Sequence, residues 1–319
     1  KKSREYEIED VFRTYGVLTH EAGFYFYFSR KIRELRECGH EGTARAYASS
    51  LRSMQRYLGK KNFPFIKLSS RIISDYQGKL LASGICDNTI GFYLHNIKAL
   101  FRKGCREMGL ELPCPFRDIS IKTEKTLKRS LDPVVIKTLS AIELEKDSPL
   151  SLARDIFMFS FYTRGMSFVD IALLKKRHVF PGEICYRRHK TDQLMRVGIN
   201  KEISRILERY KNVPGEYIFP LFPAERDPYA GYRSAYHRIR YSLGKISRVI
   251  GLEFPLRLHA ARHSWATIAK VNGASVHVIG ECLGHTSEKT TRIYLKELDH
   301  SALDAVNNQV ADFILAVDD

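Results

Sequence analysis

The first third of the chain places apolar residues three and four positions apart, which is the spacing of amphipathic helices. One such pattern begins at Phe24 and ends at Gly39, and Thr43 stands where the N-cap of a second helix is expected. A further apolar stripe runs from Ile90 to Phe101. The pattern predicts a polar lead-in over residues 1–20 and an all-helical domain over residues 21–112.

The pattern after residue 131 is mixed. Asp132-Pro133 is a helix-start signal, and residues 151–162 form a run rich in Phe, Met and Leu that predicts a buried helix. Residues 179–180, 183–186 and 194–199 predict three short strands separated by turn residues. The predicted fold is therefore mainly α, with an α-rich domain over residues 131–319 that contains a small antiparallel β-sheet and ends in an amphipathic tail helix.

The segment between these blocks, residues 113–130, combines two prolines with five basic residues and shows little apolar periodicity. This composition predicts an interdomain linker. Its basic side chains could follow a DNA backbone or simply be solvated, and the sequence leaves both interpretations open.

Charge and cysteine content narrow the class of protein. The chain has 52 Lys and Arg against 36 Asp and Glu, a formal net charge of +16, which favours a polyanionic partner such as nucleic acid. Its six cysteines are scattered without a metal-ligand spacing, so we expect no disulfide framework, no metal site and a reducing cytoplasm. No apolar run is long enough for a membrane span, and no cofactor is expected.

One stretch near the C-terminus combines residue types suited to phosphoryl transfer. His259 and Arg262 form an HxxR pattern, Leu283-Gly284-His285 follows, and Tyr294 lies nine residues after that histidine. Arginine can clamp phosphate oxygens through paired N–H bonds, and histidine can donate another hydrogen bond. A tyrosine hydroxyl can attack phosphorus and hold the phosphate as an ester.

This ordered set resembles the tyrosine recombinase, or phage integrase, family. The run from Tyr162 to Lys176 is similar to the branch found on mobile elements and in DNA inverters of gut anaerobes. The resemblance implies the following roles: Tyr294 is the nucleophile of a 3′-phosphotyrosyl bond, Arg262 clamps the phosphate, His285 hydrogen-bonds the scissile phosphate, and His259 assists proton transfer.

The resemblance also implies a general-acid lysine on a β-hairpin, which Lys190 matches, and a first phosphate-binding arginine. The family commonly places that arginine three residues before an acid, but here the residue three before Asp170 is Ser167. Arg164 lies three residues earlier and is the candidate. The alternative is that Arg164 is structural and that a cation from residues 175–177 fills the role.

The resemblance further implies a core-binding, SAM-like first domain, a homotetramer on specific double-stranded DNA core sites, and possible accessory DNA-bending proteins. The expected activity is integration, excision or inversion of DNA in the nucleoid of a bacterial cytoplasm. The alternatives are a nicking-closing enzyme like type IB topoisomerases and a catalytically impaired DNA-binding regulator. The basic residues proposed to contact DNA are Arg45, Arg52, Lys98, Arg102, Lys125, Lys128, Arg233 and Arg240.

Overall fold

The computed structural model describes residues 23–122, 124, 130–222, 228–285, 287–294 and 310. These residues belong to two compact units, Lys1–Thr126 and Leu127–Asp319, each with a hydrophobic core of its own. The predicted lead-in over residues 1–20 and nearly all of the predicted C-terminal tail helix lie outside the described residues.

The described part of the first unit is helical. Phe24, Phe65 and Phe101 pack at its centre, with ring centroids 5.0 Å apart for the first pair and 5.8 Å apart for the second. The helices are α1 (Phe24–Glu37), α2 (Glu41–Leu58), α3 (Ser70–Ala82) and α4 (Asp87–Glu107), with a 3₁₀ turn at Phe65–Lys67.

The start of α2 differs from the sequence prediction. The helix begins at Glu41, so Thr43 is an exposed residue of its first turn rather than its N-cap. An acidic residue is favoured in the first turn because of the helix dipole, and Glu41 also accepts a 2.7 Å hydrogen bond from Arg45 Nε. These two interactions explain why the helix begins at Glu41, before the threonine.

The first half of the segment expected to be a linker packs on the first unit. Phe116 is buried in its core, and Gln77 Nε2 donates to Ser120 O at 3.0 Å. Asn88 pairs with the backbone of Glu124 in both directions, each bond 3.0 Å long. The apolar residues of this segment are too irregularly spaced to give a helical or strand period, which is why the sequence pattern did not indicate this packing.

The described part of the second unit is α-rich around one small sheet, as the sequence predicts. Its strands β1 (Val179–Phe180), β2 (Glu183–Arg187) and β3 (Leu194–Gly198) pair antiparallel in the order β1-β2-β3. The expected mainly-α fold with a small antiparallel sheet is confirmed. Its helices are α5 (Pro133–Ala141), α6 (Pro149–Tyr162), α7 (Phe168–Ala172), α8 (Lys201–Arg209), α9 (Pro228–Val249), α10 (Leu258–Val271), α11 (Val276–Leu283) and α12 (Glu288–Tyr294).

Helix α6 is the central element of the second unit. Phe157 and Phe159 are fully buried in it, and it packs against α8, α9 and α10. The turn that follows α6 lies beside α10, which carries the HxxR pattern, because Gly165 O accepts from Arg262. Helix α10 in turn packs against α11 and α12. In the described ranges, no helix combines the length and apolar character that crossing a bilayer requires.

Candidate active site

The Leu283-Gly284-His285 motif is the C-terminal cap of α11. Gly284 has φ 62° and ψ 46°, a left-handed conformation that glycine adopts without steric cost. Its N–H donates to Glu281 O and the His285 N–H donates to Gly280 O, each at 2.9 Å. These two bonds form a Schellman motif, so the glycine ends the helix and fixes the backbone of the histidine that follows.

Arg262 lies at the centre of the candidate site and is only 4% exposed. Its Nη1 donates to Gly165 O at 2.7 Å, and its Nη2 donates to Leu283 O at 2.5 Å. Nη2 also lies 3.0 Å from His285 Nε2. A buried guanidinium needs hydrogen-bond acceptors, and the carbonyl at the end of α11 adds the negative end of a helix dipole.

The turn after α6 is shaped around this arginine. Arg164 and Gly165 are both left-handed, with φ 59° and 75°. A Cβ atom on Gly165 would lie 2.5 Å from Arg262 Cγ, so only glycine allows this approach. The Arg164-Gly165 turn therefore supplies a carbonyl to Arg262 at close range.

Asp170 connects α7 to the turn between β2 and β3. Its carboxylate is buried and accepts hydrogen bonds from Ser167 Oγ at 2.6 Å and from the His189 N–H at 2.8 Å. Ser167, at the position where the family commonly has arginine, thus serves as a hydrogen-bond donor to Asp170. The second bond holds the β2–β3 turn, which carries Lys190, against α7.

Arg188 is a site residue that the sequence reasoning missed. It is half-buried in the β2–β3 turn, and its Nη1 donates to Gly284 O. Two of the three alternative cations proposed from the sequence are engaged elsewhere, since Lys175 pairs with Glu216 at 2.9 Å and Lys176 Nζ donates to Val213 O at 2.5 Å. The sequence feature that indicates Arg188 is its position two residues before Lys190, on the same turn.

The ring of His285 is surrounded by cations. Burial lowers its pKa, and the charges of Arg262, Arg188 and Lys190 lower it further, to about 4. The imidazole is therefore neutral near pH 7. Arg188 and His189 anchor the β2–β3 turn to Gly284 O and to Asp170, which brings the exposed Lys190 of that turn beside the cluster.

Arg164 precedes Gly165, whose carbonyl accepts from Arg262, so this arginine is adjacent to the cluster. Burial and the charge of Asp170 raise the pKa of Tyr186, whereas the charges of Arg188, Arg262 and Arg164 oppose this rise. Three guanidinium groups therefore act on one buried phenol on β2. The structure brings together Arg164, Arg188, Arg262, His285 and Lys190.

The remaining predicted catalytic residues flank this cluster. His259 is exposed in the first turn of α10, one helical turn before Arg262, and its ring centroid lies 5.9 Å from that of His263. The backbone of Tyr294 ends α12, which packs against α10 and α11. Its side chain lies outside what the structure describes, so its role as nucleophile remains a prediction.

The predicted DNA contacts lie on both units. Arg52, Arg102, Arg233 and Arg240 are exposed, whereas Lys98 is partly buried and Arg45 is paired with Glu41. Lys125 and Lys128 lie outside the described residues. Within the described part of the chain, no cluster of three or more His, Cys, Asp or Glu side chains has the geometry of a metal site.

Both units match models of known protein families. Residues 130–300 match the model of the phage integrase family, and residues 23–116 match that of the phage integrase SAM-like domain. The tyrosine recombinase XerC of Shewanella oneidensis is 26% identical over 226 residues, which are 68% of this chain and 70% of that protein. XerD of Pseudomonas putida is 24% identical over 262 residues, 80% of this chain and 86% of that protein.

Two solved structures share the fold. A lambda integrase dimer bound to a COC′ core site has a TM-score of 0.64 and 17% identity, over 86% of this chain and 96% of that one. The Tn1549 transposon integrase in complex with transposon right end DNA has a TM-score of 0.66 and 15% identity, over 91% of this chain and 99% of that one. At these identities the comparison shows the fold alone.

Proposed function

Because this chain belongs to the phage integrase family and is a site-specific DNA recombinase, we propose that it cuts and rejoins DNA through a 3′-phosphotyrosyl bond to Tyr294. The observation that supports this role most strongly is the cluster of Arg262, His285 and their neighbours at the base of α12. The helix that ends at Tyr294 begins three residues after the histidine.

The chemistry needs positioning and positive charge more than acid–base strength. As the phenolic oxygen of Tyr294 attacks phosphorus, negative charge grows on the phosphate oxygens and the 5′-oxygen leaves. The guanidinium groups of Arg262, Arg164 and Arg188 stabilise this charge, and His285, whose Nε2 lies 3.0 Å from Arg262 Nη2, orients the central guanidinium. The protein–DNA ester conserves the bond energy, so a second attack by a DNA hydroxyl rejoins the strand without ATP.

Two residues fit the proton transfers of this reaction. Lys190 is exposed on a turn that Asp170 holds beside the cluster, and it protonates the leaving 5′-oxygen. His259, one turn before Arg262 on α10, assists removal of the phenolic proton. Both roles follow the family pattern and agree with where the two side chains lie.

The partner is double-stranded DNA with specific core sites. The similar lambda integrase is solved as a dimer on a core site, and the similar Tn1549 integrase is solved with transposon end DNA. By analogy, the helical first unit is a core-binding domain, four copies assemble on two sites, and the DNA moved belongs to a mobile element. Accessory DNA-bending proteins assist the reaction, and the recombinase acts in the bacterial nucleoid.

Covalent trapping tests the role of Tyr294. On a nicked suicide substrate, cleavage releases a short fragment that diffuses away and cannot be rejoined. The wild-type chain should therefore give an adduct that survives a denaturing gel. Tyr294→Phe should bind the same DNA and give no adduct, because only the hydroxyl is lost. The exposed Tyr241 offers a matched control, since Tyr241→Phe should form the adduct normally. An adduct that persists in Tyr294→Phe contradicts the proposal.

A further inference from the structure

Thr291 is a fully buried polar residue on the helix that ends at Tyr294. It lies three residues before that tyrosine, close to one helical turn. Its Oγ1 is 3.0 Å from His285 Nδ1. Gly280 on α11 makes room for this contact, because a Cβ atom there would lie 2.9 Å from the threonine oxygen.

The direction of this hydrogen bond follows from the partner of the other ring nitrogen. A guanidinium can only donate, so the 3.0 Å contact with Arg262 Nη2 makes Nε2 of His285 an acceptor. The proton of the neutral imidazole then resides on Nδ1, and the hydroxyl of Thr291 accepts it. The charged groups that act on this ring from α10 and from the β2–β3 turn are Arg262, Arg188 and Lys190, all cations that favour the neutral form.

We propose that Thr291 is a positioning residue for strand transfer, whose hydroxyl holds the imidazole of His285 toward Arg262 and joins the Tyr294 helix to the phosphate-binding cluster. The inference rests on the proposed role of Tyr294. The observation behind it is that the buried hydroxyl of Thr291 contacts His285, and that Tyr294 lies one turn later on the same helix as Thr291. Loss of the hydroxyl leaves the Nδ1–H without its acceptor. The imidazole and the helix that ends at Tyr294 then lose the hydrogen bond that joins them.

The first experiment compares three substitutions at neighbouring threonines. Thr291→Val keeps the side-chain shape and removes the acceptor, Thr291→Ser keeps the hydroxyl, and Thr290→Val changes an exposed neighbour on the same helix. The rate of covalent-complex formation on a nicked suicide substrate is measured at saturating protein, together with DNA affinity.

Thr291→Val should form the complex at least about tenfold more slowly with unchanged affinity, the effect expected from losing one hydrogen bond to a catalytic group. Thr291→Ser should recover most of the rate, and Thr290→Val should match the wild type. A wild-type rate in Thr291→Val overturns the proposal. So does a Thr291→Ser variant as slow as Thr291→Val, because the hydroxyl would then not be the active feature.

The second experiment measures the histidine directly and does not depend on cleavage. Nitrogen-15 NMR of the DNA-free protein should show the proton of His285 on Nδ1 in the wild type and in Thr291→Ser. In Thr291→Val the proton should stay on Nδ1, because Arg262 still faces Nε2, but it should exchange faster with solvent because its acceptor is lost. A wild-type ring protonated on Nε2 overturns the inference. If no variant, the wild type included, forms a covalent complex, the proposed function fails while this measurement still decides the role of Thr291.

Discussion

Gly165 is the glycine at which the cluster around Arg262 leaves the least space. Gly165→Ala should lower the free energy of unfolding by about 1–2 kcal/mol for the left-handed backbone and by about 1–3 kcal/mol more for the clash with Arg262. Gly182 is a matched control, because it has φ 84° and a Cβ atom there would meet no neighbour within 4 Å. Urea unfolding should show a larger loss for Gly165→Ala than for Gly182→Ala. Equal losses would mean that Arg262 moves away at no cost.

Ser167 stands where the family commonly has arginine, so single substitutions of Arg188 and Arg164 test which cation acts in its place. Arg188→Ala should reduce covalent-complex formation about 100-fold or more while DNA affinity changes little, because the group acts on charge that develops during the reaction. We expect a similar selective loss for Arg164→Ala. Arg187→Ala, which removes an exposed arginine beside Arg188, is the control. A variant that loses affinity and rate in equal measure would reveal a structural role at its position.

Local spacing predicts some of these residues and not others. The offset between His285 and Tyr294 and the glycine before the histidine are short-range features, so the sequence contains them directly. Arg188 reaches a carbonyl 96 residues later in the chain, and no periodicity encodes such a contact. The hydroxyl of Thr291 is similar, since its partner depends on how α11 turns into α12.

At the scale of elements, Asp170 determines where the β2–β3 turn lies. Asp170→Ala should leave the His189 N–H without its acceptor, so amide exchange at this residue should become faster and covalent-complex formation slower. Asp192→Asn is the control, because this carboxylate is 84% exposed on the same turn and asparagine tolerates its left-handed backbone, with φ 54°. Unchanged exchange at His189 in Asp170→Ala would contradict the anchoring role.

The elements themselves follow the sequence where local signals are strong. Pro181-Gly182 separates two strands at the predicted positions, and Asp132 caps α5 by accepting from the Val134 N–H at 2.8 Å. The start of α2 and the packing of residues 113–122 were not predictable in this way. Each depends on contacts that a propensity pattern does not contain, such as the burial of Phe116 in the first core.

At the scale of the whole molecule, the net charge of +16 predicts binding that weakens steeply with salt. The slope of log affinity against log salt concentration should become shallower by about one in Arg102→Ala, if this exposed arginine contacts a phosphate. Arg205 is already paired with Glu202 at 2.8 Å, so Arg205→Ala should leave the slope unchanged. Identical slopes in all three proteins would remove Arg102 from the DNA interface.

The fold class and the order of the two units were accessible from the sequence because each has its own pattern of apolar residues and its own core. The assembly of the active site was less accessible. It draws on the turn after α6, the β2–β3 turn, α10 and the end of α11, and these elements meet only through tertiary packing.

Peptide mapping of the trapped adduct tests the covalent role of Tyr294 most directly. Trypsin cleaves after Arg292 and Lys296, which isolates the peptide Ile293-Tyr294-Leu295-Lys296 with a single tyrosine. After nuclease digestion of the DNA, mass spectrometry should find the residual nucleotide on this peptide, bonded to the tyrosine. A nucleotide attached to any other peptide would contradict the mechanism.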